Sequence, residues 1–345
     1  MDLATLTLLT VVAGYGDIRE DGVPKAADRA IVLWTNAARV APLEFTVDYD
    51  AGGCSTDDFS DDEKTAKAPL YIDMDLTDAA IYHSTDMKET PCFQHESCDG
   101  TDTWERIGRF YTDAAGAMGE NIASGYPDAR NATLSGWMCS HDGHRANIMS
   151  GDFNEMGGGV DGTYYTQDFA SGELKEGDPP VRMAIEDSAS RTFDTGDTFT
   201  HGWYADWGDD AAPASITVIQ DGIETPMVLL VGEPEQGLYA VDEPEGGTET
   251  CHQWYVLWET AAGLKGTFPA EGSFLQGECG DYEIDWIAEQ KPANGLFGDV
   301  PEDELKDAML SDIALVGCNA GGGSVGYLAA GLGLLLSLRR DRKRG

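Results

Sequence analysis

The chain has 345 residues, and its 62 acidic and 22 basic residues give a formal net charge of −40. This length is too great for one ordinary hydrophobic core, and it predicts two domains with additional terminal signals. A surface this acidic repels phosphate backbones and anionic headgroups, so the charge argues against binding to nucleic acids or peripherally to membranes.

A short apolar run, Leu3 to Ala13, opens the chain. Its length fits the core of a signal peptide over residues 1–16 and is too short to span a membrane. No basic residue precedes the run, so an ordinary buried segment is the alternative interpretation.

The next segments predict helices. Ala27, Ile31, Trp34 and Ala38 recur at helical spacing between residues 26 and 40, and Pro42 ends the pattern. The acidic stretch 48–64 does not match the spacing of an EF-hand, so it is interpreted as a loop rather than a calcium site.

A second helix is predicted from Leu76 to Met87, with Asp75 as its N-cap. His83 falls on the apolar side of this helix, which favours a hydrogen-bonded core histidine over a ligand. Two further helices are predicted, one beginning near Asp102 and one over residues 129–138. Their expected inward-facing residues are Trp104, Ile107, Tyr111, Leu134, Trp137 and Met138.

The pattern then changes to strands. Two runs of strand-forming residues, 156–160 and 163–169, flank Asp161-Gly162, a strong signal for a two-residue hairpin turn. Helices followed by an antiparallel hairpin predict an α+β fold for this part of the chain.

Beyond Pro179-Pro180, alternating apolar residues predict a small antiparallel β-sandwich over residues 181–290. The predicted inward positions are Phe199, Trp203, Ala205, Trp207, Ile216, Val218, Met227, Leu229, Val231, Trp254, Val256 and Trp258. Turns are predicted at Asp209-Asp210, Asp221-Gly222 and Gly246-Gly247. By pattern alone, the region resembles an immunoglobulin-like module.

Seven cysteines are an odd number for a chain with export signals. The simplest arithmetic is two disulfides within one group of four, one disulfide between Cys251 and Cys279, and a leftover Cys318. The group of four comprises Cys54, Cys92, Cys98 and Cys139, whose pairing the sequence leaves open.

The C-terminus combines Cys318, a glycine-rich hinge, an apolar run over residues 325–338 and an arginine-rich end. The run is short for a membrane segment unless residues 321–324 are included, and the basic end fits the positive-inside rule. This combination resembles the sorting signal of myxobacterial surface proteins, which implies processing near Cys318 and anchoring at the cell surface. An acidic linker, 291–317, precedes this tail, 318–345.

A set of short motifs lies in order between Tyr82 and Phe169. These motifs are His83–Met87, Cys92–His95, Cys98–Thr101, Arg106, Gly119–Ala123, Gly136–Met138, Gly143–Met149 and Tyr164–Phe169. Together they resemble the bacterial branch of the CAP superfamily, which includes cysteine-rich secretory proteins, insect antigen 5 and plant pathogenesis-related proteins. The resemblance implies an α-β-α sandwich over residues 17–180.

In the CAP family, two histidines and two acidic residues line a cavity. The matching motifs place His95, Glu120 and His144 in that cavity. The eukaryotic pattern is broken at Ser140 and Tyr164, which puts a four-ligand metal site in doubt. The three remaining residues suit a zinc site with an open position or a base with its orienting partner, and a purely structural polar cluster is the alternative.

We therefore expect an exported, surface-anchored CAP-domain protein that binds a small apolar ligand or an envelope component. One alternative is a hydrolase that acts on cell-wall or peptide substrates through His95, Glu120 and His144. A serine hydrolase using Ser140 or Ser84 is disfavoured because no Gly-x-Ser-x-Gly motif is present. A second alternative is a structural or adhesive protein in which the β-sandwich contacts the partner.

The charge leads to a prediction for stability. We interpret the acidic surface as salt-adapted, so its self-repulsion is least screened at low ionic strength. The melting temperature should therefore fall when salt is removed, as measured by thermal unfolding over a series of salt concentrations. A melting temperature that stays flat across the series would contradict this interpretation.

Overall fold

The computed structural model describes residues 24–47, 55–112, 116–172, 180–187, 199–205, 211–242, 251–270, 272–276 and 286–287. These residues belong to one compact unit, Met1–Asn294. The predicted signal peptide, acidic linker and sorting tail, including Cys318, lie outside the described residues. Within the described part, no helix has the length and apolar character needed to cross a membrane.

Five α-helices lie in the described residues of the first half of the chain. They are α1 (Ala26–Val40), α2 (Pro42–Val47), α3 (Met74–Glu89), α4 (Thr103–Ile107) and α5 (His144–Ile148). A 3₁₀ helix, Thr56–Asp58, and a π-helix, Asn131–Trp137, accompany them.

Four strands form the sheet of this half. They are β1 (Tyr71–Ile72), β2 (Met118–Ser124), β3 (Glu155–Asp161) and β4 (Tyr164–Ala170), in the spatial order β1-β3-β4-β2. β1 runs parallel to β3, while β3, β4 and β2 are antiparallel. The predicted hairpin is present with its turn one residue later, because Asp161 pairs with Tyr164 and leaves Gly162 and Thr163 as the loop.

Helices pack on both faces of this sheet, as the glycines of β3 show. A Cβ atom on Gly157 would lie 2.1 Å from the backbone of Leu76 in α3, and one on Gly159 would lie 2.2 Å from Ala80. On the opposite face, a Cβ on Gly158 would lie 2.7 Å from the Asp28 carbonyl oxygen of α1. The α-β-α arrangement therefore depends on β3 having no side chains at these positions.

The helix predictions hold with three corrections. α1 has the predicted bounds, but α3 begins earlier, and its N-cap is Asp73, which accepts a hydrogen bond from the Leu76 N–H at 2.8 Å, rather than Asp75. Trp104, predicted to face inward, is exposed, because the short α4 turns only Ile107 and its neighbours toward the core. The predicted helix at 129–138 is present as the π-helix, with Trp137 buried.

The second half of the described chain is all-β. One antiparallel sheet has the order β5-β6-β10-β9, with β5 (Val181–Asp187), β6 (Phe199–Ala205), β9 (Val228–Glu233) and β10 (Gln236–Asp242). The other has the order β14-β13-β11-β7-β8, with β12 paired to β11; its strands are β7 (Ser215–Gln220), β8 (Ile223–Pro226), β11 (His252–Glu259), β12 (Lys265–Phe268), β13 (Ser273–Gln276) and β14 (Trp286–Ile287).

The alternation of apolar residues predicts the interior of this region well on its central strand and less well at its edges. Trp254, Val256 and Trp258 are buried as predicted, whereas Leu229 is 37% exposed because β9 is an edge strand. The Asp221-Gly222 turn joins β7 to β8, with both residues at positive φ. The other two predicted turns lie outside the described residues, and kinship with immunoglobulin domains stays a prediction.

The two halves of this unit share one hydrophobic core around α1. The Arg29 guanidinium lies 4.5 Å from the centre of the Phe274 ring. Arg182 of β5 donates a hydrogen bond to the Pro69 carbonyl oxygen at 2.7 Å and lies over the Tyr71 ring. α1 is therefore covered by the sheet on one side and by the all-β region on another.

The close approach of α3 to β3 generates a prediction. Gly157→Ala should destabilise the protein by at least about 2 kcal/mol, because the added methyl group would meet helix backbone, which cannot move aside by a rotamer change. Gly151→Ala is the matched control, since nothing lies within 4 Å of a Cβ at that position. Chemical denaturation should separate the two variants, and equal stabilities would contradict the packing described.

Candidate functional site

The loop that carries His95 is closed by a disulfide between Cys92 and Cys98. The Cys98 backbone N–H donates a hydrogen bond to Asp86 Oδ2 at 2.7 Å, which ties the loop to α3. Cys139 and Cys251 are also disulfide-bonded. The pairing left open by the sequence is thus settled for Cys92 and Cys98, and it places His95 inside a covalently closed ring.

Arg106 lies beneath this loop and is fully buried. Its helix, α4, begins at the Asp102 cap, whose side chain accepts hydrogen bonds from the backbone of the first turn. The guanidinium donates one hydrogen bond to the His95 carbonyl oxygen at 2.7 Å and another to Glu120 Oε2. A single buried cation therefore holds both the backbone of His95 and the side chain of Glu120.

Glu120 and His95 are in direct contact. Glu120 lies on β2 with its side chain buried, and its Oε1 is 2.8 Å from His95 Nδ1. The hydrogen bond to Glu120 raises the pKa of His95, and partial burial of the imidazole opposes this effect. Half of the His95 side chain remains exposed, so an imidazole whose pKa is raised by Glu120 faces solvent.

His144 lies beside this pair at the start of α5, after Gly143 at positive φ. Its carbonyl oxygen accepts a hydrogen bond from Asn121 of β2 at 3.1 Å, and its Nδ1 is 2.9 Å from Ser140 Oγ. Burial lowers the pKa of His144, and the charge of His95 lowers it further. The surroundings therefore shift the pKa values of the two imidazoles in opposite directions.

Two other residues flagged in the sequence have structural roles. His83 is buried, with Nε2 3.0 Å from the Gln94 carbonyl oxygen, and burial lowers its pKa. Ser84 is buried and donates a hydrogen bond to the Gly159 carbonyl oxygen, with Thr166 Oγ1 2.9 Å away. The core-histidine prediction is confirmed for His83, and Ser84 is not placed as a nucleophile.

Sequence reasoning did not assign roles to Arg106 or Asp168. Asp168 lies on β4, directly across from Glu120 of β2, and is completely buried. Burial raises the pKa of Asp168, and the neighbouring Glu120 raises it further, while Arg106 lowers it. A signal was available for Asp168, because the register of the antiparallel pair places it directly across from Glu120.

The site can be tested for its fit to a metal ion. Both oxygens of Glu120 are engaged, one by His95 and the other by Arg106. Among the described residues, no group of three His, Cys, Asp or Glu side chains is placed so as to hold a metal. An arginine on a would-be ligand also disfavours a cation, so the arrangement does not fit the three-ligand zinc set.

The disulfide ring around His95 yields a prediction. A Cys92→Ser, Cys98→Ser double variant should lose about 2 kcal/mol of stability by the loop-entropy relation. The pKa of His95 should also move back toward its ordinary value, because the freed loop no longer presses His95 against Glu120. Thermal unfolding and NMR titration of the histidines provide the two measurements. A variant with unchanged stability and His95 pKa would show that the ring does not position the site.

Several known proteins are similar in sequence to this part of the chain. Residues 28–173 match the model of the cysteine-rich secretory protein family, CAP. The membrane protein YlbC of Bacillus subtilis is 39% identical over 106 residues, which cover 31% of this chain and 30% of that protein. The protein YkwD of the same organism is 34% identical over 109 residues, which cover 31% of this chain and 41% of that protein. The chain thus matches well under half the length of these relatives.

Two solved structures also align. An extracellular protein containing an SCP domain from Bacillus anthracis is 38% identical, covering 29% of this chain and 33% of that one, with a TM-score of 0.28. An outer surface protein of Borrelia burgdorferi is 22% identical; the alignment covers 30% of this chain and 78% of that one, with a TM-score of 0.27. The motifs and the α-β-α arrangement agree with the match of residues 28–173 to the CAP family, which covers less than half of the chain.

Proposed function

We propose that this protein is exported and binds an envelope component at a surface site formed by His95, Glu120 and His144. The observation that carries the proposal is the 2.8 Å contact between His95 Nδ1 and the buried Glu120. This contact fixes an imidazole that is still half exposed. A fixed, partly exposed donor recognises an anionic or hydrogen-bond-accepting group with little loss of conformational entropy.

The surroundings suggest that the ligand also has an apolar part. Phe93, two residues before His95, is 55% exposed, and Trp104, in the helix that carries Arg106, is 46% exposed. Exposed aromatic side chains supply apolar contact area and stack on planar or saturated rings. Lipids and glycans of a cell envelope combine such apolar surfaces with acceptor groups, which agrees with the proposed class of ligand.

Export is supported by the disulfide between Cys92 and Cys98, because disulfides persist in oxidising compartments. Anchoring through the tail that contains Cys318 is part of the proposal, and this tail lies outside the described residues. YlbC, which matches over the CAP domain, is itself named a membrane protein. We propose that the all-β region and the linker carry the CAP domain away from the anchor.

A hydrolase is the second candidate, and one feature favours it. A carboxylate that orients an imidazole, as Glu120 orients His95, is the usual support of a general base. Against this candidate, the serine at the site, Ser140, contacts Nδ1 of His144 rather than His95. The described geometry therefore supplies a base without a nucleophile of its own, and such an enzyme would have to activate water.

An adhesive role of the all-β region has its own supporting observation. Ile223 of β8 and the consecutive Val228, Leu229 and Leu230 of β9 are exposed. Both strands lie at the edges of their sheets, where backbone groups are available for pairing. A partner that adds a strand here would not depend on His95.

Substitution of the histidines tests the binding proposal. His95→Ala and His144→Ala should each weaken binding at least about tenfold, the loss expected from about 1.4 kcal/mol. His141→Ala is the matched control, since His141 is exposed and lies on the same loop as His144. The probes are lipopolysaccharide, peptidoglycan sacculi and phospholipid vesicles, with affinity measured by sedimentation or calorimetry.

The outcomes separate the three candidates. Binding that is lost with His95→Ala and kept with His141→Ala supports the proposed site. Release of soluble fragments from sacculi that stops with His95→Ala favours the hydrolase. Binding that is unaffected by either histidine variant, but lost on charging Leu229 and Leu230, would contradict the proposal in favour of adhesion.

A further inference from the structure

Asp168 is a buried acid with no role in the binding site as described so far. It lies in the middle of β4, with Glu120 of β2 on one side and Gly157 of β3 on the other in the strand register. No surface of Asp168 is exposed. Among the described residues, no donor makes a hydrogen bond of ordinary geometry to either of its carboxyl oxygens.

The charged groups around Asp168 come from four elements. Glu120 faces it from β2, Arg106 from α4, and the histidines His83 of α3 and His95 of the disulfide ring lie around that pair. The hydrogen bonds of Arg106 go to Glu120 and to the His95 backbone, and none goes to Asp168. Arg106 thus donates to the carboxylate of Glu120, and its buried Nε–H has no hydrogen-bond partner among the described residues.

An ionised carboxylate in this position would be expensive. A buried carboxylate without hydrogen-bond donors loses its hydration, and no hydrogen bond compensates for that loss. A second carboxylate beside it adds repulsion, and such pairs commonly retain one proton between them. Burial and Glu120 both act in this direction on the pKa of Asp168, against the weaker influence of Arg106.

A neutral Asp168 differs from an ionised one because its hydroxyl is a hydrogen-bond donor. The adjacent acceptor is Glu120, which already accepts from Arg106 at one oxygen and from His95 at the other. A carboxylate has about four lone-pair positions, so it can accept a third hydrogen bond. The hydroxyl of a neutral Asp168 and the carboxylate of Glu120 are therefore a suitable donor and acceptor pair.

We propose that Asp168 is a positioning residue, which as a neutral acid donates a hydrogen bond to Glu120 and holds it as the acceptor of His95. Asp168 thus acts on the ligand site without touching the ligand. The inference rests on the proposed function only for the importance of His95. The protonation state of Asp168 and its hydrogen bond to Glu120 do not depend on the proposed function.

Asp168→Asn distinguishes the two states of the acid. Asparagine is neutral, nearly isosteric and a donor, so it should replace a neutral Asp168 with little consequence. In protein without ligand, the pKa of His95 measured by NMR should change by less than about 0.3. If Asp168 were ionised, the substitution would remove a negative charge near the imidazole, and the pKa of His95 would fall clearly.

Two further variants calibrate this measurement. Glu120→Gln should lower the pKa of His95, which shows that the titration responds to a lost carboxylate. Asp168→Ala removes the donor without adding charge and should lower the pKa of His95 by loosening Glu120. An unchanged His95 pKa in Asp168→Ala, in protein that remains folded, would overturn the positioning role.

Thermal unfolding across pH supplies a second measurement. A group whose pKa is raised on folding stabilises the folded state below its unfolded pKa, near 3.9, and loses this contribution as pH rises toward the folded value. The wild type should therefore lose stability relative to Asp168→Asn as the pH rises above about 4. A difference in melting temperature that is constant over this range, or that moves the other way, would overturn the proposal.

Neither measurement requires a ligand. A protein that binds none of the envelope probes could still show the predicted titration, and a binding protein could fail it. Failure of the proposed function and failure of this inference are therefore separate results.

Discussion

The site depends on one buried guanidinium. Arg106 donates to the His95 carbonyl oxygen at 2.7 Å and to the carboxylate of Glu120, so it connects the disulfide ring to strand β2. A buried arginine needs such partners, because an unpaired charge in the core would cost several kcal/mol. The hydrogen bonds that compensate the buried charge of Arg106 also align Glu120 with His95. The geometry of the candidate site and the stability of the fold are thus coupled through one side chain.

The CAP sheet explains how these residues meet. β2 and β4 pair so that Glu120 and Asp168 are opposite each other, and both lie on the face that α3 covers. α3 can approach that face because β3 presents glycine at positions 157 and 159. On the other face, α1 is shared with the all-β region, whose Arg182 reaches the Pro69 carbonyl oxygen. The described all-β region therefore packs against the first half of the chain and stabilises it.

Local patterns in the sequence were sufficient to predict several elements of this fold. The bounds of α1, the hairpin near Gly162 and the buried tryptophans of β11 follow from periodicity and turn chemistry. The contact between His95 and Glu120 could not be obtained that way, since 25 residues and a change of element separate them, and only the family resemblance suggested it. Arg106 and Asp168 were missed because their importance depends on strand register and burial. The four consecutive apolar residues Ile31 to Trp34 of α1 did carry an unused signal, since four neighbouring residues cannot all lie on one side of a helix.

The central claim is that Arg106 and Glu120 form one coupled buried pair that holds the site. A double-mutant cycle measures this directly, using the free energy of unfolding of Arg106→Leu, Glu120→Leu and the double variant. The account predicts that each single variant costs about 3–5 kcal/mol by leaving a buried charge unpaired, and that the double variant costs far less than their sum. Additive costs, with no coupling between the two positions, would contradict it.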